Sequence, residues 1–143
     1  MSKSDTFEND FLKLIFNGTP IANIADNAAS GPLANLYISL HIGDPGEAGD
    51  QTTNEISYTG YARVPVARSG SGFTVTGSAV NPVSNIDFGV MTGGAGGTAD
   101  YFGIGTDLTG AGRLLYSGNI VPTISVVNGV IPRLTTASSV TED

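Results

Sequence analysis

The hydrophobic residues near the N-terminus follow a helical repeat. They recur every three or four positions and are Phe7, Phe11, Leu14 and Ile15. This spacing places them on one face of an α-helix. Ser4 or Asp5 is suited to cap the start of the helix, and Gly18 is suited to end it. The pattern predicts a helix over residues 6–17 that packs on its own domain. The alternative is that its apolar face packs on a neighbouring subunit or a larger assembly.

The pattern changes to a period of two after a linker over residues 19–35. Residues 36–42 alternate, with Leu36, Ile38, Leu40 and Ile42 on one face and Tyr37, Ser39 and His41 on the other. Strict alternation over this length is typical of a strand with one face buried and one face solvated. We therefore predict a half-buried strand that places His41 at the surface or in an interface.

Short apolar segments separated by turn residues fill the rest of the chain. They predict strands over residues 58–68, 73–76, 80–88, 101–105, 113–116, 123–127 and 130–134. Asn128 and Gly129 lie between the last two and give a strong hairpin signal. The predicted fold is mainly β, an antiparallel β-sandwich of jelly-roll type with a short N-terminal α-helix, and a small barrel is the alternative. We expect a helix and linker arm over residues 1–35 and the sandwich domain over 36–143.

Composition and charge remove several classes of function. The 143 residues include 13 acidic and 6 basic side chains, for a net charge of −7. The basic residues are scattered, which argues against a nucleic-acid-binding surface. With no cysteine and one histidine, thiol nucleophiles and metal sites built from Cys or several His are excluded. No apolar run approaches the length of a membrane span. We expect a soluble protein with no cofactor and no enzymatic activity.

Two loops and a set of tyrosines are the other candidates for chemistry. Residues 44–55 carry four carboxylates, Asp44, Glu47, Asp50 and Glu55. Their spacing differs from that of a calcium-binding hand, so we interpret them as a solvated acidic loop, with a metal site as the alternative. Residues 93–97 predict a flexible glycine loop. The tyrosines suit the edge of a sandwich core, or alternatively a sugar platform or an interface anchor; they are Tyr58, Tyr61, Tyr101 and Tyr116.

The arginines suggest an interface. Arg63, Arg68, Arg113 and Arg133 lie in or beside predicted strands. Since the chain has few cations, we hypothesise that they pair with acidic groups across a subunit interface. The candidate interface residues, taken with the helix stripe, are Phe7, Phe11, Leu14, Ile15, Tyr61, Arg63, Arg68 and Arg113.

Several motifs along the chain resemble those of a family of small tailed-bacteriophage virion proteins. The motifs are Leu36-Tyr37-Ile38-Ser39-Leu40-His41, Asp44-Pro45-Gly46-Glu47-Ala48-Gly49, Tyr58-Thr59-Gly60-Tyr61-Ala62-Arg63-Val64, Tyr101-Phe102-Gly103-Ile104-Gly105, Gly112-Arg113-Leu114-Leu115-Tyr116-Ser117-Gly118 and Val127-Asn128-Gly129-Val130. The resemblance covers nearly the whole chain. It departs from the family pattern at Ile42 and Gly43, and at Phe73, where a tryptophan is common.

The resemblance implies a structural virion protein. Members of the family go by the names of head decoration (cement) proteins or tail fibre proteins. Because the chain has no internal repeat of a fibre shaft, we favour a cement protein that binds the major capsid protein on the head exterior and stabilises the shell. The resemblance also implies a homotrimer. From charge and composition we expect a protein made in the host cytoplasm that contacts neither nucleic acid nor membrane. A tail- or fibre-associated protein and a host glycan-binding module are the alternatives.

Overall fold

The computed structural model describes residues 4–21, 25 and 31–142. In this part of the chain the protein is mainly β, with antiparallel strand pairing and one short α-helix. The strands are β1 (Asn35–His41), β2 (Val64–Ala67), β3 (Phe73–Thr76), β4 (Ala79–Pro82), β5 (Ile86–Asp87), β6 (Gly97–Gly105), β7 (Leu114–Val126), β8 (Arg133–Leu134) and β9 (Val140–Thr141). The mainly β class and the N-terminal helix are as predicted.

The N-terminal helix consists of α1 (Asp5–Leu12) and a π-helical turn (Lys13–Asn17). The Ser4 hydroxyl accepts a hydrogen bond from the Phe7 N–H at 3.4 Å and caps the start. Gly18 ends the helix in the left-handed conformation, with φ 65°, which glycine adopts without a steric penalty. The predicted helix is therefore confirmed, although its last turn is wider than that of an α-helix.

The strands form three sheets. The largest has the order β2-β1-β6-β7, and the smaller ones have the orders β3-β4-β9 and β5-β8. In the large sheet His41 lies opposite Tyr101, and Tyr101 lies opposite Asn119. Because directly opposed residues point to the same face of a sheet, these three side chains share one face of the large sheet.

Strand β1 is buried on both faces, which corrects the prediction of a half-buried strand. Ser39 and His41 on its polar face are both 0 % exposed, whereas Ile42 is 51 % exposed just beyond the strand. Two glycines of β6 make room for this burial. A Cβ atom on Gly103 would lie 2.5 Å from Ser39 Oγ, and one on Gly105 would lie 2.2 Å from the Gln51 side chain. A side chain at either glycine would displace the polar groups packed over the sheet.

Strand β7 is continuous over Leu114–Val126, whereas the sequence predicts two separate strands over residues 113–116 and 123–127, so the predicted break is wrong. A Cβ atom on Gly118 would lie 2.9 Å from the Phe102 ring, so this glycine serves close packing within the sheet. The predicted turn at Asn128-Gly129 is present, since the Val130 N–H bonds the Val127 carbonyl at 3.0 Å. The hairpin is not, because β8 pairs with β5 while β7 pairs with β6.

The chain divides into two compact units. One comprises the described residues of Met1–Asn35, Val66–Ile86 and Leu134–Asp143; the other comprises Leu36–Pro65 and Asp87–Arg133. The first holds α1, β3, β4 and β9, and the second holds β6, β7 and most of β1. The predicted arm over 1–35 and domain over 36–143 stay a prediction. No helix within the described ranges is long and apolar enough to cross a membrane.

Candidate functional site

Arg63 and Glu55 form a buried ion pair in the second unit. The Arg63 Nε donates to Glu55 Oε1 at 2.7 Å, and its Nη2 donates to Oε2 at 2.8 Å. Arg63 also donates to the carbonyls of Asp107 (2.9 Å) and Gly110 (2.8 Å). The bond to Glu55 raises the pKa of Arg63. Arg63 is only 4 % exposed. Through these hydrogen bonds it connects Glu55 to the loop that contains Asp107 and Gly110, which is distant in the sequence.

Two further side chains strengthen this junction. Tyr61 donates its hydroxyl to Glu55 Oε1 at 2.8 Å and accepts the Leu40 N–H at 3.2 Å; burial raises the pKa of this phenol. Gln51, which is fully buried, exchanges two hydrogen bonds with the backbone of Asp107, at 2.9 and 3.1 Å. Together with Arg63 and Glu55, these residues form a polar cluster, which we call the Arg63 cluster. It fixes the loop of residues 44–55 over the large sheet.

His41 lies beside the Arg63 cluster and not at the surface, which corrects the sequence-based prediction. Its Nδ1 lies 2.8 Å from the Thr53 carbonyl, and its Nε2 lies 2.8 Å from the Ser39 hydroxyl. A carbonyl only accepts hydrogen bonds, so we assign the ring proton to Nδ1, and Nε2 accepts from Ser39. Burial lowers the pKa of His41. The hydrogen bond to the Thr53 carbonyl and the negative charge of Glu55 act in the opposite direction and raise it, but the effect of burial is larger. This histidine is neutral and structural.

The burial of His41 predicts a loss of stability in mild acid. The unfolded chain takes up a proton near pH 6.5, the ordinary pKa of His, whereas the folded chain takes it up at lower pH. The free energy of unfolding therefore falls as the pH drops below 6.5 and levels off below the folded pKa. In urea titrations between pH 7.5 and 5, we expect His41→Gln to remove most of this dependence. An equal pH dependence in both proteins would contradict the assignment.

The carboxylates of the loop 44–55 serve different local contacts. Asp44 accepts the Gly46 N–H at 2.8 Å, Asp50 accepts the backbone N–H and the hydroxyl of Thr52, and Glu55 belongs to the Arg63 cluster. The bonds from Thr52 lower the pKa of Asp50. Over residues 4–21, 25 and 31–142, no three His, Asp or Glu side chains lie close enough to hold a metal ion.

The glycine segment 93–97 packs closely against its neighbours. Thr59 donates its N–H to the Gly93 carbonyl at 2.8 Å, and Gly96 donates to the Ser57 carbonyl at 3.1 Å. A Cβ atom on Gly96 would lie 2.3 Å from the Val126 carbonyl oxygen. The glycines thus allow close backbone approach, where the sequence predicts a flexible loop.

The predicted interface residues of the helix lie in the first unit. Phe7 is 39 % exposed, and its ring centroid lies 6.3 Å from that of the half-buried Phe11. Leu14 and Ile15 are half-buried, and their carbonyls accept hydrogen bonds from Arg68 at 2.6 and 2.7 Å. Burial lowers the pKa of Arg68. Arg68 thereby stabilises the C-terminal end of the helix, whose last carbonyls are otherwise without helical partners.

The other predicted interface residues lie elsewhere in the chain and make different contacts. Arg63 and Tyr61 are engaged in the Arg63 cluster, and Arg133 pairs with Asp87 at the surface. Arg113 is exposed and donates its backbone N–H to Thr106 Oγ1 at 3.0 Å. The subunit interface of these residues stays a prediction. Of the residues in this hypothesis, Phe7, Arg113 and Arg133 are exposed.

The second unit also contains a groove that the sequence does not predict. Its volume is about 550 Å³. We call it the acidic groove; it is lined by Asp44, Gly46, Glu47, Gly49, Tyr101 and residues 114–119. The two walls are some seventy positions apart in the chain, so no local pattern brings them together.

Comparison with known proteins assigns the sequence to one family. No curated protein matches it. The model of one protein family, described as podophage GP4 fiber I protein gp80, matches residues 2–141. This match spans nearly the whole chain and agrees with the tailed-phage resemblance of the sequence motifs. The chain belongs to the podophage GP4 fiber I protein gp80 family and is a structural, fibre-type protein of a bacteriophage virion.

Proposed function

We propose that this protein is a fibre-associated structural component of the phage particle, which acts through contacts and not through catalysis. The observation that carries the proposal is the family match over residues 2–141, because it spans both compact units. The buried polar groups described above support it. The Arg63 cluster and His41 hold loops in place within the chain, as expected of groups that stabilise a binding surface.

The apolar side of α1 is the attachment surface that we propose for this function. Phe7 remains 39 % exposed beside Phe11, whereas Leu12 and Phe16 of the same helical segment are fully buried. The inner side of the helix is thus occupied by its own unit. Partly exposed aromatic side chains on a fixed helix are well suited to anchor a protein interface.

A head decoration role is the second candidate. It is supported by the absence of a fibre-shaft repeat in the sequence and by the net charge of −7, which suits a position away from packaged nucleic acid. In this form the protein is a homotrimeric antiparallel β-sandwich of jelly-roll type, bound to the major capsid protein on the head exterior. Gold labelling of tagged particles discriminates the two: label at the tail supports the first, and label over the head supports the second.

Truncating Phe7 tests the attachment surface. We expect Phe7→Ala to fold normally and to lower the copies retained on purified particles at least about fivefold, equivalent to about 1 kcal/mol. Leu108→Ala is the control, because Leu108 is also exposed, at 48 %, but lies in a loop of the second unit. Quantitative gels of particles made with each variant provide the measurement. Equal retention of both variants would contradict the role of α1.

A further inference from the structure

The acidic groove follows an open strand edge. Strand β7 is the last strand of the large sheet, so among the described strands it has a neighbour, β6, on one side only. Residues 114–119 of β7 all line the groove. Alternate side chains of a strand point to opposite faces. A groove over one face of the sheet would be lined by only every second residue of β7. Because six consecutive residues line this groove, it runs along the edge of β7 that faces away from β6, over about 20 Å.

The opposite wall of the groove carries negative charge. Asp44 and Glu47 are both exposed, and Asp44 uses Oδ1 to accept the Gly46 N–H. On the strand side, Tyr101 and Asn119 share one face of the sheet as directly opposed residues. No lysine or arginine is among the lining residues. An occupant of the groove thus meets two carboxylates, an aromatic residue and an open strand edge, and it encounters no positive side chain.

We propose that the acidic groove binds an extended, basic peptide segment of a different protein. The segment adds to the sheet as a strand beside β7, and its backbone groups pair with those that β7 presents at the edge. A lysine or arginine of the segment lies against Asp44 and Glu47, where the charges are complementary. This binding site is separate from the helix α1, and it does not depend on whether the protein lies at the tail or on the head.

Charge argues against a second copy of this chain as the occupant. Pairing two β7 edges brings together two chains of net charge −7 and two walls with Asp44 and Glu47, and like charges repel. Of the described cations, Arg63, Arg68 and Arg133 are held by bonds within their own chain, and the exposed Arg113 is not among the residues that line the groove. A basic segment on another protein provides several positive charges in one stretch, whereas the described cations of this chain are scattered.

Peptide titration of the full-length protein tests this inference. The probe is an acetylated hexapeptide, Thr-Lys-Val-Lys-Thr-Lys, followed by fluorescence anisotropy and by amide chemical shifts. One control peptide has glutamate in place of lysine, and another has N-methyl groups on alternate residues, which remove backbone donors. Glu47→Gln is the test variant. Asp10→Asn is its control, because it makes the same charge change on α1, in the other unit.

We expect saturable binding of the basic peptide, with shifts confined to residues 44–49 and 114–119. Binding weakens at least about threefold in Glu47→Gln and weakens as salt is raised, whereas Asp10→Asn binds normally. The glutamate and N-methyl peptides do not bind. Equal binding of the N-methyl or glutamate peptide, shifts elsewhere in the protein, or no binding at millimolar peptide would overturn the proposal. Dimerisation of the protein through β7, or neutral disaccharides producing the same shifts, would also overturn it.

Discussion

Replacing Glu55 with glutamine will lower the free energy of unfolding by about 3–5 kcal/mol. In the native protein the two carboxylate oxygens receive hydrogen bonds from Arg63, at 2.7 and 2.8 Å, and from Tyr61. The amide leaves the Arg63 guanidinium, 4 % exposed, without the carboxylate that balances its charge, and it replaces one acceptor oxygen with an amide NH2 donor. An uncompensated buried charge is among the most destabilising defects that a single substitution creates.

Urea unfolding at pH 7.5 measures this effect, and Asp87→Asn is the matched control. It removes the same charge from a carboxylate–arginine pair, but the Asp87–Arg133 side chains are about half exposed. Water screens such pairs, so we expect little change in the urea midpoint for the control. If the urea midpoint of Glu55→Gln lies as close to the wild-type midpoint as that of Asp87→Asn does, the buried pair is not what stabilises the second unit.

Truncation of Phe16 to alanine will destabilise the protein by a similar amount, about 3–5 kcal/mol. Phe16 is fully buried, and its ring packs edge-on against Phe73 with 4.9 Å between centroids. The substitution leaves a cavity between the helix and β3. Since Phe16 lies in the π-helical turn, we expect the loss to loosen the whole helix, which carries Phe7.

Thermal unfolding and particle retention measured together distinguish Phe16 from Phe7. Phe16→Ala is expected to lower both the unfolding temperature and the number of copies retained on particles, because it destabilises the folded helix. Phe7→Ala is expected to lower retention with little change in stability, since its ring is 39 % exposed. If Phe16→Ala unfolds at the wild-type temperature, α1 does not depend on this contact and the proposed fixing of the attachment surface is wrong.

Local patterns were sufficient for much of the fold. The apolar spacing of residues 7–15 and the position of Gly18 predict the helix, because both follow from backbone geometry. Alternation over residues 36–42 predicts β1. The same alternation misplaces His41, since it reports the polarity of a side chain and not whether a distant loop covers it. Burial of this face depends on residues 50–55 and on glycines of β6, which lie far along the chain.

The Arg63 cluster could not be predicted from the sequence. Glu55 and Arg63 are eight residues apart, which matches no helical or strand pairing rule, and their other partners are carbonyls at Asp107 and Gly110. Backbone acceptors of that kind have no signature in the sequence. The density of carboxylates between residues 44 and 55 marks the region, but it does not indicate which one pairs with an arginine.

The length of β7 also escapes local patterns, and with it the acidic groove. Ser117 and Gly118 are typical of a turn, so the sequence divides the strand where the structure continues it. Gly118 is required there because the Phe102 ring occupies the space of a side chain. The groove exists only because this continuous edge lies beside Asp44 and Glu47. Tertiary packing thus creates the acidic groove, and no local sequence pattern predicts it.

Counting copies of this chain on purified particles tests the central claim most directly. A fibre-associated component is present at on the order of ten copies per particle, set by the symmetry of the tail. Isotope-labelled peptide standards, scaled to the portal protein in the same sample, give the number. We predict a value of that order, with the chain retained after washing in high salt. On the order of hundreds of copies, or none, would contradict the assignment to the fibre apparatus.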